Sequence, residues 1–284
     1  MQDKLIARAK ELLSEGKVKK VVGWKKGLFE DDITPALFTT AEELDKDFVF
    51  NKYCKANLSK YLVGITKNIE IAKSTTRMNN TMAKQRDPNA QDAPIPQEVV
   101  LVFLKPADTY SFTQLLKESR ITREDVYAIG VPCQDTLDGG DLCDNCAGKK
   151  PVSCDEYIGV DPNADVAPNT SRMEEVAKLE AMSVEERYNF WRNEFSRCIR
   201  CNACRNVCPA CTCEKCVFDN NALYTTQKVA ETNFEESLFH IIRAWHVAGR
   251  CTDCGECSRV CPQNIPLYLL NRKYIKDINE IYGD

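Results

Sequence analysis

The chain has 284 residues, 16 cysteines, two histidines and a formal net charge of -4. A chain of this length can bury a substantial core without disulfides, so the cysteines need another role. The negative charge argues against a partner held mainly by phosphate contacts, and we expect no nucleic-acid partner.

The N-terminus lacks the basic-then-apolar layout of a signal peptide, and no run of 18 apolar residues is present. These features predict a cytoplasmic protein with no direct membrane insertion. In a reducing cytosol, clustered thiols are more often metal ligands or redox groups than disulfides.

Residues 1–160 have the pattern of an α/β domain with a small parallel sheet. Apolar periodicity predicts a helix, Leu5–Leu13, and then a strand, Val21–Trp24. An apolar run, a helical segment and a second apolar run follow, and this order predicts a parallel βαβ unit. The three segments are Val99–Leu104, Tyr110–Glu118 and Val126–Val131.

Two segments are predicted to be irregular. Residues 74–97 are polar and contain three prolines, so we expect an exposed arm or loop. Residues 161–171, with two prolines and two asparagines, are the predicted linker between domains.

Residues 172–284 are predicted to be mainly α-helical, with cysteine-containing loops between the helices. Ser183 and Glu186 form a capping-box signature at the start of the helix Val184–Phe195. Two further segments, Phe234–Ala248 and Leu267–Ile278, also show helical periodicity.

Four cysteines with spacers of two, two and three residues occur twice in this half, each time followed by proline. In bacterial ferredoxins with this spacing, the first three thiolates bind one 4Fe–4S cluster and the fourth binds the neighbouring cluster. Cluster one is therefore assigned to Cys198, Cys201, Cys204 and Cys261, and cluster two to Cys251, Cys254, Cys257 and Cys208. Zinc is the alternative, but it needs only four thiolates in total.

A third group of cysteines lies in the loop 133–154. The first of them, Cys133, ends the second strand of the βαβ unit, where open α/β sheets place functional sites. We predict a third 4Fe–4S cluster here, and the alternatives are a zinc knuckle or free thiols. The group is Cys133, Cys143, Cys146 and Cys154.

Four cysteines remain, and they are candidates for a fourth centre, either 4Fe–4S or zinc. Alternatively, Cys54 is simply a small buried residue, as free cysteines often are. His240 and His246 share one predicted helix, and we expect them to pack or cap there rather than bind metal or act as bases. The four cysteines are Cys54, Cys211, Cys213 and Cys216.

The first half resembles the β-subunit family of deazaflavin (coenzyme F-420) reducing hydrogenases and formate dehydrogenases. The residues that carry this resemblance are Gly23–Gly27, Asn51–Leu58, Lys105–Asp108 and Gly130–Cys133. The cysteine runs of the second half, Arg197–Pro209 and Gly249–Cys257, resemble the α-helical ferredoxin domains of succinate dehydrogenase and heterodisulfide reductase subunits. The resemblance implies electron transfer with hydrogenase, formate dehydrogenase or heterodisulfide-reductase-like subunits of an anaerobic oxidoreductase.

Members of that family hold a flavin in an α/β domain that continues beyond the third-cluster loop, whereas here the predicted linker begins soon after Gly159. The chain also lacks a Gly-x-Gly-x-x-Gly fingerprint and a phosphate-binding loop, so its sequence does not favour FAD. The favoured function is a non-catalytic relay of single electrons. The alternatives are a flavin-bearing catalytic subunit that exchanges hydride with a deazaflavin or nicotinamide, and a non-redox zinc-binding scaffold.

Overall fold

The computed structural model describes residues 1–133, 146, 150–164, 171–219 and 233–283. These residues divide into two compact units. The first contains residues 1–133 and 150–164, and the second contains residues 146, 171–219 and 233–283. Cys143 and residues 165–170 of the predicted linker lie outside the described residues.

A five-stranded mixed sheet forms the centre of the first unit, in the order β2-β1-β3-β4-β5. Strands β1 and β2 form an antiparallel pair, while β1, β3, β4 and β5 run parallel. All five residues of β3 are buried, as expected for a strand covered on both faces. The strands are β1 Lys20–Lys26, β2 Ile33–Phe38, β3 Val100–Leu104, β4 Val126–Gly130 and β5 Glu156–Tyr157.

Four helices accompany this sheet. Helix α1 buries Leu5, Ala9 and Leu12 against the core, and the third and fourth helices pack together. The predicted βαβ unit is confirmed as β3-α4-β4, and the sheet also includes the antiparallel strand β2, which the sequence analysis missed. The helices are α1 Gln2–Ser14, α2 Ala41–Asp47, α3 Ser59–Arg86 and α4 Pro106–Lys117, and a short 3₁₀ helix spans Arg123–Asp125.

The prediction of a loop over residues 74–97 is wrong for its first half, because α3 continues to Arg86. Leu62, Thr66 and Ile69 anchor the start of α3 in the core, and the first proline after them is Pro88. No proline therefore interrupts the helix before Arg86. The packed first half of α3 can support a second half whose polar side chains lie in solvent. Residues 74–86 are mostly exposed, as predicted.

The second unit is helical, and the three predicted helices are confirmed as α6, α8 and α10. The predicted capping box is present, since Ser183 Oγ accepts from Glu186 N and the Glu186 carboxylate accepts from Ser183 N. The helices are α5 Glu174–Ala181, α6 Val184–Ser196, α7 Ala203–Asn206, α8 Asn233–His246, α9 Glu256–Arg259 and α10 Leu267–Tyr282, with 3₁₀ helices at Ser171–Met173 and Val217–Asp219. Among the described helices, none combines the length and the apolar character that crossing a membrane requires.

Candidate metal centre

The two cysteine runs fold into the same backbone shape. Arg200 and Asn202 have φ angles of 57° and 61°, and the equivalent Asp253 and Gly255 of the second run have 55° and 73°. Each run then enters a four-residue helix, α7 or α9, at the same offset from its first cysteine. Left-handed conformations of non-glycine residues are strained and persist where the surrounding structure enforces them, often at functional sites.

These left-handed residues direct backbone N–H groups toward sulfur. The Arg200 N–H donates to Cys198 Sγ at 3.4 Å. In the second run, burial raises the pKa of Cys251, and a hydrogen bond from the Asp253 N–H opposes that rise. Alternating right- and left-handed residues form concavities that bind anions, and N–H···S bonds stabilise iron–sulfur clusters.

Thiols of the two runs act on one another. Burial raises the pKa of Cys204 to about 12, and Cys257 of the second run adds more to that rise than Cys198 and Cys261 do. Cys261 also acts on Cys198. Cys208, from the first run, adds to the rise that burial causes in the pKa of three thiols of the second run, Cys251, Cys254 and Cys257. The two ligand sets therefore lie side by side, and their crossed assignment stays a prediction from the spacing.

The donor set fits iron–sulfur clusters. All fifteen described cysteines are free thiols, and Cys198, Cys204 and Cys257 lie in the hydrophobic core of the second unit. Within the described ranges, no group of three or more His, Cys, Asp or Glu side chains could hold a single metal ion. A cubane binds one thiolate at each iron corner and therefore accepts more widely spaced sulfurs than one ion does.

Helix α8 packs beside the two runs and carries both histidines. His240 is buried, its ring stacks on Phe195 with centroids 4.6 Å apart, and burial lowers its pKa to about 3. The predicted packing role of His240 is therefore confirmed. His246 is exposed near the end of the helix, where its carbonyl oxygen accepts from Arg250 Nη1.

A buried ion pair fixes the loop of the second run, and the sequence analysis missed it. Arg272 Nε lies 2.9 Å from both carboxylate oxygens of Asp253, and Arg172 Nη1 lies 3.2 Å from Oδ2. Burial raises the pKa of Asp253, while both arginines oppose the rise. The only available sequence signal was a cation within the apolar stripe of α10.

The predicted third site is described in part. Cys133 follows β4, and Cys154 lies against the end of the same strand, because a Cβ added to Gly130 would be 3.3 Å from Cys154 Sγ. Burial raises the pKa of Cys154 to about 12, and Asp155 adds to the rise. Cys146 is half-buried and belongs to the second unit. With Cys143 outside the described residues, the third cluster stays a prediction.

The landmarks of the family resemblance meet at the carboxyl ends of β1 and β3. Trp24 Nε1 and Lys105 Nζ both donate to the carbonyl oxygen of Ala56, at 3.2 and 2.9 Å. Lys105 Nζ also lies 4.7 Å from the centroid of the Trp24 ring and 2.8 Å from Asp108 Oδ2. Lys105 and Asp108 form a buried pair, so these landmarks have a structural role in joining three segments.

The cysteines of the predicted fourth centre are divided between the units. Cys54 lies in the core of the first unit, where its Sγ accepts from Asn51 N at 3.3 Å and burial raises its pKa to about 11. The other three thiols belong to the second unit. These surroundings favour the alternative in which Cys54 is a small buried residue.

Replacement of Cys54 by Ala separates the two roles. If Cys54 is a packing residue, C54A should leave iron and sulfide per chain unchanged and should lower the melting temperature, because a buried sulfur is lost. Colorimetric iron and sulfide assays with thermal unfolding under anaerobic conditions measure both effects. Loss of about four iron atoms per chain would instead identify Cys54 as a cluster ligand.

Comparison with known proteins finds similarities for parts of the chain. Residues 194–265 match the family model described as "4Fe-4S dicluster domain". The chain is similar to the "F420-dependent formate dehydrogenase subunit beta" of Methanocaldococcus jannaschii, with 32% identity over 103 residues, 35% of this chain and 26% of the relative. The subunit named "F420-dependent formate dehydrogenase 1 subunit beta" in Methanococcus maripaludis is 34% identical over 64 residues, 18% of this chain and 16% of the relative.

The chain thus spans about a quarter or less of the length of these curated relatives. Two expectations from the sequence are confirmed: the partial resemblance to deazaflavin-linked β subunits, and a 4Fe–4S dicluster domain within the helical second half.

Proposed function

We propose that this chain is an iron–sulfur subunit that relays single electrons between a partner dehydrogenase or hydrogenase and a flavoprotein. The carrying observation is the pair of cysteine runs with one backbone shape, both inside the region that matches a 4Fe–4S dicluster domain. Two adjacent clusters held in this way conduct electrons without a substrate pocket. Similarity to formate dehydrogenase β subunits supports partners in an oxidoreductase complex.

Each bound cubane would accept or release one electron with little rearrangement. The protein's own contribution is to hold the thiolates, to direct N–H groups such as that of Arg200 at sulfur, and to exclude water from the buried ligands. Cys201 is the exposed thiol of the first run. Cluster one is therefore the proposed point of exchange with a partner, because electron transfer requires close approach.

The finer parts of the proposal concern the first unit. We assign a third 4Fe–4S cluster to Cys133, Cys143, Cys146 and Cys154. A flavin-bearing subunit is the second candidate function, supported by the similarity to deazaflavin-dependent enzymes. In that case the chain would take part in hydride exchange itself.

Anaerobic purification followed by iron, sulfide, zinc and flavin analysis tests these assignments together. We expect about eight iron and eight sulfide per chain for two clusters, and about twelve of each with the third. Stoichiometric FAD would shift the function to the flavin-bearing subunit. Zinc without labile sulfide would overturn the proposal in favour of a scaffold.

A further inference from the structure

Helix α8 buries three polar side chains on one face. Glu236, His240 and Arg243 are exposed by only 1%, 1% and 2%. Their spacing of four and then three residues aligns them along the helix. The opposite side exposes Phe234, Ile241 and Trp245 to solvent. The helix therefore directs charge into the interior of the second unit, which is the reverse of the usual distribution.

Of the three side chains, Arg243 has the largest unfavourable free energy of burial. Its Nε, Nη1 and Nη2 atoms are all buried, and in the part of the chain that the structure describes none of them has an oxygen partner; the side chain acts instead as a hydrogen-bond donor to the Cys257 thiol. A guanidinium has five donors and stays protonated in proteins. Such a group is seldom buried without an anion, because desolvating a charge is expensive unless it is paired.

The groups that face Arg243 are thiols from both cysteine runs. Cys257, Cys204, Cys208 and Cys211 act on its guanidinium and raise its pKa, against the opposing effect of burial. Cys204 belongs to the ligand set of cluster one, whereas Cys208 and Cys257 belong to that of cluster two. Arg243 is therefore a cation that lies close to both ligand sets.

The other neighbours do not neutralise Arg243. Burial and the charges of Arg243 and Arg200 hold His240 in its neutral form. Glu236 acts on Cys198 and is not among the groups that raise the pKa of Arg243. Arg200 Nη1 donates to the carbonyl oxygen of Glu235, and its guanidinium lies 4.6 Å from the centroid of the Phe239 ring.

We propose that Arg243 is a shared counter-charge for the two clusters, a positioning residue that keeps both reduction potentials high. The inference rests on the proposed function. Reduction adds negative charge to a cluster, and a fixed cation in a buried, low-dielectric site favours that step. Because one cation lies close to both ligand sets, it raises both potentials. Its removal should therefore lower both potentials in the same variant.

The test is a redox titration of the anaerobically purified full chain, followed by electron paramagnetic resonance. R243Q should decrease the equilibrium constant for reduction of both clusters by about tenfold or more, which is about 59 mV for each tenfold in a one-electron couple. R243K, which retains the charge without the planar fork, should recover most of the shift.

R192Q is the control, because Arg192 is exposed on α6 and its replacement removes the same charge from the surface. Its potentials should stay close to those of the parent, since solvent and salt screen surface charges. R243Q with full iron content and unchanged potentials would overturn the inference. If the parent lacks iron and sulfide, the proposed function fails before any variant is compared.

Loss of clusters from R243Q would call for R243M, whose apolar side chain needs no partner. With full iron, R243M should show the same lowered potentials, and potentials equal to the parent's would contradict the inference. If R243Q and R243M both lose iron while R243K keeps it, the positive charge is needed to retain the clusters, in support of the inference. If R243K also loses iron, the site requires the shape of arginine rather than its charge, and the inference is wrong.

Discussion

Replacement of Cys208 by Ala should destroy the cluster held by Cys251, Cys254 and Cys257, and should leave the cluster of its own run in place. The reason is the crossed arrangement, in which the thiol before Pro209 belongs to the other ligand set. We expect a loss of about four iron atoms per chain and of one of the two paramagnetic signals after reduction. Iron analysis and spin quantification of the dithionite-reduced protein measure both effects.

Cys211 complicates this variant, because its thiol donates a hydrogen bond that lowers the pKa of Cys208 and it lies close enough to replace the lost ligand. The double variant C208A/C211A removes that rescue. C261A is the reciprocal change and should abolish cluster one instead. C213A, at an exposed thiol outside both ligand sets, is the control. Loss of the same cluster from C208A and C198A would contradict the crossed assignment.

The regular elements with strong local patterns could be predicted from the sequence. Strand β3 is a continuous apolar run, and α6 begins with a capping box that also forms in the structure. Strand β2 was missed because Pro35 and half-exposed positions weaken its pattern, as is common for an edge strand. The second half of helix α3 was predicted to be a loop because it has no apolar stripe and depends on the anchored first half.

Only part of the candidate site could be predicted from the sequence. Cysteine spacing is local information, so it identifies both runs and their shared backbone shape. The packing of the helices decides which side chain of a distant helix faces the sulfurs. No short-range sequence pattern contains that information. Arg243 is therefore indistinguishable in sequence from a surface cation, and Arg272 is marked only by its position in the apolar stripe of α10, although both are buried against the cysteine loops.

Replacement of Arg272 by Gln should be strongly destabilising. The Arg272 and Asp253 side chains are exposed by only 1% and 2%, so R272Q leaves a buried carboxylate with Arg172 as its remaining cation. Breaking a buried pair by removing one partner costs about 3–5 kcal/mol. The urea midpoint of the anaerobic holo protein, followed by cluster absorbance, should fall accordingly.

The pH dependence gives R272Q a signature that simple loss of packing would not produce. The pKa of Asp253 is already raised by burial, and removal of Arg272 takes away a group that opposes this rise. A carboxyl whose pKa is higher in the folded than in the unfolded state binds protons preferentially when folded, so folding becomes more favourable as the pH falls toward that pKa. The stability deficit of R272Q should therefore shrink as the pH is lowered toward the raised pKa of Asp253.

Two variants make this result specific to the Arg272–Asp253 pair. The double variant D253N/R272Q removes the buried charge and should regain stability relative to R272Q, with little pH dependence. K276Q, on the same helix as Arg272, breaks the partly exposed pair of Lys276 with Glu180 of α5 and should destabilise the protein far less, because solvent screens such a pair. A deficit of R272Q no larger than that of K276Q, or one independent of pH, would show that Asp253 does not depend on Arg272. The cysteine loop of the second run would then be held mainly by its cluster.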